Sequence, residues 1–314
     1  MDALELFRRA DNGGNCTKDT CPASASIYGY APSLAANALF LAIFLLSGLI
    51  HSVQGIKFKT WSFLIVMVIG NLCEAAGYGG RIMLHNDAFS DAGFKLQIVL
   101  LTFAPAFLAA GIYFTLKHII IIFGAEFSRL RPKWYTYIFI TCDIFSIVLQ
   151  GAGGALASVA NGPGDSLMDV GDNLMITGLA FQVFTLLIFG VLATEYALRV
   201  RTHKNELNPM TFDLRRSRKF RFFLVALCIA YSAILIRCIY RVAEMAGGWG
   251  NSIMQNEAGF IALDSVMCVV ATVALNAFHP GWCFDYRSMG GATEKTVVSA
   301  GSDTEEMATK TSSV

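Results

Sequence analysis

Glu74, Tyr78 and Arg81 stand at i, i+4 and i+7 in an otherwise apolar stretch, a spacing that stacks them on one face of a helix. Arg237, Arg241 and Glu244 repeat the same spacing further on. Asp143 and Gln150 lie seven residues apart, and Gln182 and Asp264 stand alone among apolar neighbours. A carboxylate can hold an amine, a guanidinium a phosphate or sulfate, and tyrosines such as Tyr78 and Tyr113 an amphipathic chain. Two readings compete. Either the acids and bases pair to lock helices together, or they line a polar cavity between them. No motif for soluble catalysis accompanies them: HExxH, P-loop, GxGxxG and paired CxxC patterns are all missing, and His51, His85, His118, His203 and His279 are scattered. The expectation is therefore a non-enzyme with no metal, no cofactor and no nucleic-acid partner.

The elements that must position these side chains are membrane helices. Hydrophobic residues make up 55% of the 314 and charged residues only 15%, against about a quarter charged in a soluble chain. Seven apolar runs reach the ~20 residues that cross a bilayer: Ser33–Ser52, Trp61–Arg81, Phe94–Gly124, Lys133–Ser158, Gly171–Val200, Phe220–Met245 and Ala258–His279. They are long and do not alternate, which excludes a β-barrel. The fold class expected is all-α, a seven-helix polytopic bundle. Residues 1–32 form a segment outside the membrane, 33–281 the bundle, and 282–314 a tail rich in Ser, Thr, Gly and Glu with the composition of a disordered segment.

Charge sets the orientation. The first, third and fifth loops carry Lys57 and Lys59, then Arg129, Arg131 and Lys133, then a basic series from Arg201 to Arg221. The fourth and sixth carry none. The positive-inside rule puts the basic loops in the cytoplasm, so the N-terminus is outside and the C-terminus inside. Asn15-Cys16-Thr17 is a glycosylation sequon, useful only outside, and Cys16 and Cys21 in the same segment are placed for a disulfide. With that orientation the polar faces meet in the outer half of the bundle. A smaller inner set comprises Lys117, His118, Glu195 and His279. Glycines at 77, 79, 80, 151, 153 and 154 predict close helix contact, Pro105 a kink, and Cys283 a candidate for acylation.

Several segments taken together resemble the fungal RTA-like family, also called lipid-translocating exporters. Glu74-Ala75-Ala76-Gly77-Tyr78-Gly79-Gly80-Arg81 is similar to its E-x-x-G-Y-x-x-R segment. Ala104-Pro105 with Tyr113, Asp143 with Gln150-Gly151-Ala152-Gly153-Gly154, and Gly178 with Gln182 follow in order. Arg237 to Glu244 resembles its R-x-x-x-R-x-x-E, Glu257 and Asp264 its acidic pair, and Asn276-Ala277-Phe278-His279-Pro280-Gly281 its last helix end. Phe260 departs where an aromatic that is often Tyr is expected. The resemblance implies a membrane protein of the plasma membrane or endomembranes. Its partners would be lipids, sphingoid long-chain bases or other amphiphiles, exported or released, with resistance to toxic compounds as the outcome. The substrate-contacting residues would be Glu74, Tyr78, Arg81, Asp143, Gln150, Gln182, Arg237, Arg241, Glu244 and Asp264. The alternative is a seven-helix lipid sensor without transport. No Lys stands in the last helix for a retinal Schiff base, and no Asp-Arg-Tyr or Asn-Pro-x-x-Tyr marks the common receptor class.

Overall fold

The computed structural model describes residues 18, 21–160, 165–203 and 217–283. Asn15, Cys16 and the tail lie outside them; Cys21 is disulfide-bonded. Among the described residues seven helices are long and apolar enough to cross a membrane: α1 Leu34–Phe58, α2 Trp61–Asn86, α3 Asp91–Phe123, α4 Pro132–Val159, α5 Ser166–Thr202, α6 Arg218–Ala246 and α7 Glu257–Cys283. Each expected run falls within one of these to a residue. The helices are longer because hydropathy marks only the apolar middle, while polar first and last turns continue the backbone ladder. Side-chain caps start several of them: Ser33 accepts from the Ala36 amide, Ser90 from Gly93, Asp165 from Leu167 and Asn256 from Gly259, each satisfying an amide that the helix cannot.

Outward faces carry the residues lipid requires, among them Leu39, Leu46, Val53, Phe145, Val191 and Val225. The inward faces converge on α3, whose buried positions run from Gly93 to Phe123. Two glycines let neighbouring helix backbones approach closely. A Cβ on Gly80 would stand 2.8 Å from the Gly93 carbonyl, and one on Gly153 2.5 Å from the Gly171 carbonyl. Alanine at either would force α2 from α3, or α4 from α5. Gly79 has nothing nearby and Gly151 and Gly154 meet only loose neighbours, so those three are not packing contacts.

α7 is not one regular helix. Glu257–Phe260 is α-helical, Ile261–Ser265 is a π turn, and Val266–Ala277 is α-helical again. The Val266 amide donates to the Ile261 carbonyl, five residues back. The chain then breaks before a final turn at Pro280–Cys283, since proline has no amide to continue the ladder. Cys283 is buried with its thiol 4.0 Å from the Lys219 carbonyl, which leaves it shielded from acylation.

Candidate functional site

The π turn of α7 carries Asp264 into the centre of the bundle, and a π insertion in a helix is a frequent mark of a functional position. Asp264 Oδ1 lies 3.0 Å from Arg237 Nε and 3.4 Å from Arg241 Nε on α6. Arg241 also pairs with Glu244 one turn on. All four side chains are at most 6% exposed. Glu74 on α2 completes the group and is fully buried. It enters none of the ion pairs among the described residues, and it interacts with the Cys268 thiol of α7 and with the Arg237 charge. Three acids therefore share two directly paired bases. Both Glu74 oxygens, Asp264 Oδ2 and the Tyr78 hydroxyl lack a well-formed hydrogen bond.

Arg237 has a second partner, which follows from a proline. Pro105 has no amide, so the carbonyl one turn earlier, at Leu101, is left without its helical donor. Arg237 donates to that carbonyl. A sequence feature expected only to bend α3 thus supplies an acceptor for a buried guanidinium.

Arg81 stands on the other side of Phe260. Its Nε donates to Asn37 Oδ1 at 3.0 Å, one terminal nitrogen to Gln97 Oε1 at 3.2 Å, and the other to the Tyr30 hydroxyl at 3.2 Å. Its guanidinium carbon sits 4.0 Å from the Phe260 ring centre, and that of Arg241 is 5.9 Å away. The phenylalanine that departs from the family pattern offers a ring face to two cations and needs no hydroxyl to do so.

The cluster is closed, where an open polar cavity was expected. Residues 22–32 fold across this end of the bundle. Tyr28 packs on Phe94, which packs on Trp249, and Gln97 donates to the Tyr28 hydroxyl. The Ser33 amide donates to Glu257 at 2.7 Å and His85 meets the Pro32 carbonyl at 2.8 Å. Burial raises the Tyr28 and Tyr30 phenols above their ordinary value, against the pull of Arg81, so both are neutral O–H groups over a buried cation.

The remaining candidates form a separate group on α4 and α5. Asp143 faces the Tyr113 hydroxyl. Gln150 donates to Ser146 Oγ at 2.5 Å and to Gln182 Oε1 at 3.3 Å, and Ser146 donates to the Gly178 carbonyl at 2.7 Å. Ser146 and Gln150 thereby join α4 to α5, while both Asp143 oxygens and the Tyr113 hydroxyl, like the Glu74 oxygens, lack a well-formed hydrogen bond. The inner set does not assemble. Glu195 pairs with Arg129 at 2.7 Å and Arg199 at 2.6 Å, His118 meets its own helix at the Phe114 carbonyl, and His279 lies buried beside His51 and Phe63. Sequence reasoning missed Asn37, Gln97, Tyr28, Tyr30 and the carbonyl of Leu101. The single charge-free polar residues among them carry no periodic signal.

The profile of the RTA1-like protein family matches residues 67–287. The chain is 34% identical over 293 residues to a sphingoid long-chain base transporter of Saccharomyces cerevisiae, covering 84% of this chain and 76% of that protein. A probable lipid transporter of Emericella nidulans is 26% identical over 82% of this chain and 68% of its own length. Protein RTM1 of Saccharomyces cerevisiae is 27% identical over 68% and 66%. No solved structure matches.

Proposed function

The chain belongs to the RTA1-like protein family, and from that membership we propose that it moves a single-chain amphiphile, of the sphingoid long-chain base type, across or out of a membrane. The observation that carries this reading is Glu74. A carboxyl buried at membrane depth costs about 2.5–3.5 kcal/mol on insertion scales, and the ion pairs of the fold leave it over. Asp264 offers a second oxygen on the same spot. Two carboxyl groups with spare oxygens suit a primary amine, which donates three hydrogen bonds and carries one positive charge. The names of the similar proteins favour transport over a receptor-like sensor. Arg237 and Arg241 hold Asp264 in place, Glu244 pairs with Arg241, Arg81 stacks on Phe260 beyond them, and Tyr78 borders Glu74. Gln150 and Gln182 join α4 to α5, and Asp143 faces Tyr113 on α3.

The orientation belongs to the same proposal. The basic loops face the cytoplasm, the Tyr28 end faces outward, and the protein resides in the plasma membrane. A C-terminal tag should be digested when protease is added outside sealed, cytoplasm-out microsomes; a protected tag would reverse the direction assigned to the site.

The test of function is growth on a toxic sphingoid base in a strain lacking its own exporter. Glu74→Gln keeps the shape and loses the charge, and should abolish resistance with protein level and location unchanged. Full resistance in both Glu74→Gln and Asp264→Asn would discard the amine-binding role.

A further inference from the structure

The ion cluster has no open path at the Tyr28 end, yet a ligand that lives in the bilayer does not need one. On the lipid face of the bundle a groove of about 500 Å³ runs between α6 and α7. Val225, Ile229, Ser232 and Ile236 line one wall at helical spacing with Cys228 between them, and Met267 lies on the other wall. Val225, Ile229 and Ile236 are each more than 40% exposed. The wall from Val225 to Ile236 is roughly 16 Å long at ~1.5 Å per residue, about half of the ~30 Å hydrocarbon core. That is the depth of a single leaflet.

The upper end of this groove adjoins the cluster. Ile236 directly precedes Arg237, and Met267 directly precedes Cys268, the thiol that meets Glu74. The groove's last side chains and the cluster's inward-facing ones are therefore consecutive residues on both walls. Behind them lie buried carboxylate oxygens without a well-formed hydrogen bond, on Glu74 and at Asp264 Oδ2. Arg237 can release Asp264 without being orphaned, because it also donates to the Leu101 carbonyl.

We propose that the α6–α7 groove is the tail site and lateral portal of the protein: a single-chain amphiphile with a cationic amine lays its hydrocarbon chain in the groove and passes its head between Ile236 and Met267 to Glu74 and Asp264. The inference rests on the amine-transport reading above and adds to it the route and the tail-binding wall. A single chain with an amine head is favoured over a diacyl lipid because the acids behind the groove match an amine. The lid formed by Tyr28 and Trp249 fits the same route, since a site entered from lipid can be sealed from water.

Cys228 is exposed in the groove and serves as the probe. The full-length protein in detergent micelles is treated with an N-alkylmaleimide, and modification of Cys228 is read by peptide mass spectrometry. An eighteen-carbon sphingoid base should slow Cys228 modification at least fivefold, whereas octylamine and added diacyl phosphatidylcholine should not. Ser232→Phe fills the groove from an exposed position; it should cut sphingoid-base flux at least tenfold with unchanged thermal stability, while Val191→Phe, on the exposed face of α5 away from the groove, should leave flux as it is. Wild-type flux in Ser232→Phe, or equal protection by phosphatidylcholine, would overturn the portal and leave the transport reading standing. Protection of Cys228 in a wild-type protein that moves no base would support the groove as a binding site and overturn the transport reading instead. If Ser232→Phe is poorly expressed, Ser232→Leu takes its place with the same expected loss.

Discussion

Two buried polar regions hold α7 in the bundle, one against α1 and α2 and one against α6 and α2, and they solve the problem of polarity in lipid differently. Toward the basic-loop end the groups are neutral. Ser47 and Thr272 share a hydrogen bond of 2.8 Å, Thr272 donates to Asn71 at 3.0 Å, Asn276 donates to Ser47 at 2.5 Å, and Gln54 donates to the Asn276 carbonyl at 3.0 Å. His51 and His279 lie beside them against Phe63, with ring centres 6.2 Å apart. Toward the Tyr28 end the groups are charged, and Glu74 is left out of the ion pairs. Neutral bonds are enough to hold membrane helices together, at roughly 0.6 kcal/mol each. A cluster of five ionisable side chains exceeds what packing needs. On the proposed reading that excess is what receives the amine.

The comparison can be broken most directly at Asp264. Asp264→Ala removes the acid shared by Arg237 and Arg241, and leaving buried charge unpaired costs about 3–5 kcal/mol. The expected result is a large drop in thermal stability in detergent and a loss of protein in cells. Arg237→Met together with Asp264→Leu should recover most of it. An Asp264→Ala protein as stable as wild type would mean that the charged region contributes no more to folding than the neutral one.

Pro105→Ala sharpens the same contrast with a smaller effect. The new amide would bond the Leu101 carbonyl and compete with Arg237. A charge-assisted bond of about 1.5–3 kcal/mol is exchanged for a helical one of about 0.5–1.5 kcal/mol, so stability should change by roughly 1 kcal/mol. Flux should fall more than stability, because Arg237 loses the acceptor that lets it release Asp264. Unchanged flux would reduce the proline to a bend in α3. In the neutral region, Thr272→Val should lower stability by about 1 kcal/mol and leave flux alone; a transport defect there would blur the division between the two regions.

Much of this was legible before any coordinates. The seven runs follow from apolar length, and the ten candidate residues from charge and amide groups standing where lipid penalises them. All ten are buried, as that penalty demands. What the pattern could not carry was partnership. Spacing puts Glu74 and Arg81 on one face of α2, yet the two diverge: Glu74 meets Cys268, and Arg81 meets Asn37, Gln97 and Tyr30. Those partners lie on other elements and show no periodicity of their own. The π turn at Asp264 is invisible for a related reason. One extra residue in a helix changes no hydropathy average, but it turns every following side chain by a helical step. The lid was missed because Tyr28 and Tyr30 belong to a polar segment that composition assigns to solvent.

The smallest effect is expected at Phe260, where the chain departs from its family's pattern. The side chain is 3% exposed and its ring face lies 4.0 Å from the Arg81 guanidinium. Phe260→Leu keeps an apolar side chain and removes the ring, so it should lose the cation–π attraction, about 0.5–2 kcal/mol, and loosen Arg81 on the far side of the ring from the acids. Phe260→Tyr keeps the ring and both cation contacts and adds one hydroxyl. That hydroxyl must find an acceptor in a closed site, and the neighbouring acids have oxygens to spare. The expected outcome is near-neutral stability, within about 0.5 kcal/mol, and flux within twofold of wild type, measured beside Phe260→Leu in the same vesicles. A tyrosine variant as impaired as the leucine variant would show that the hydroxyl occupies space the amine needs. The ring face would then be the smaller part of what this position does.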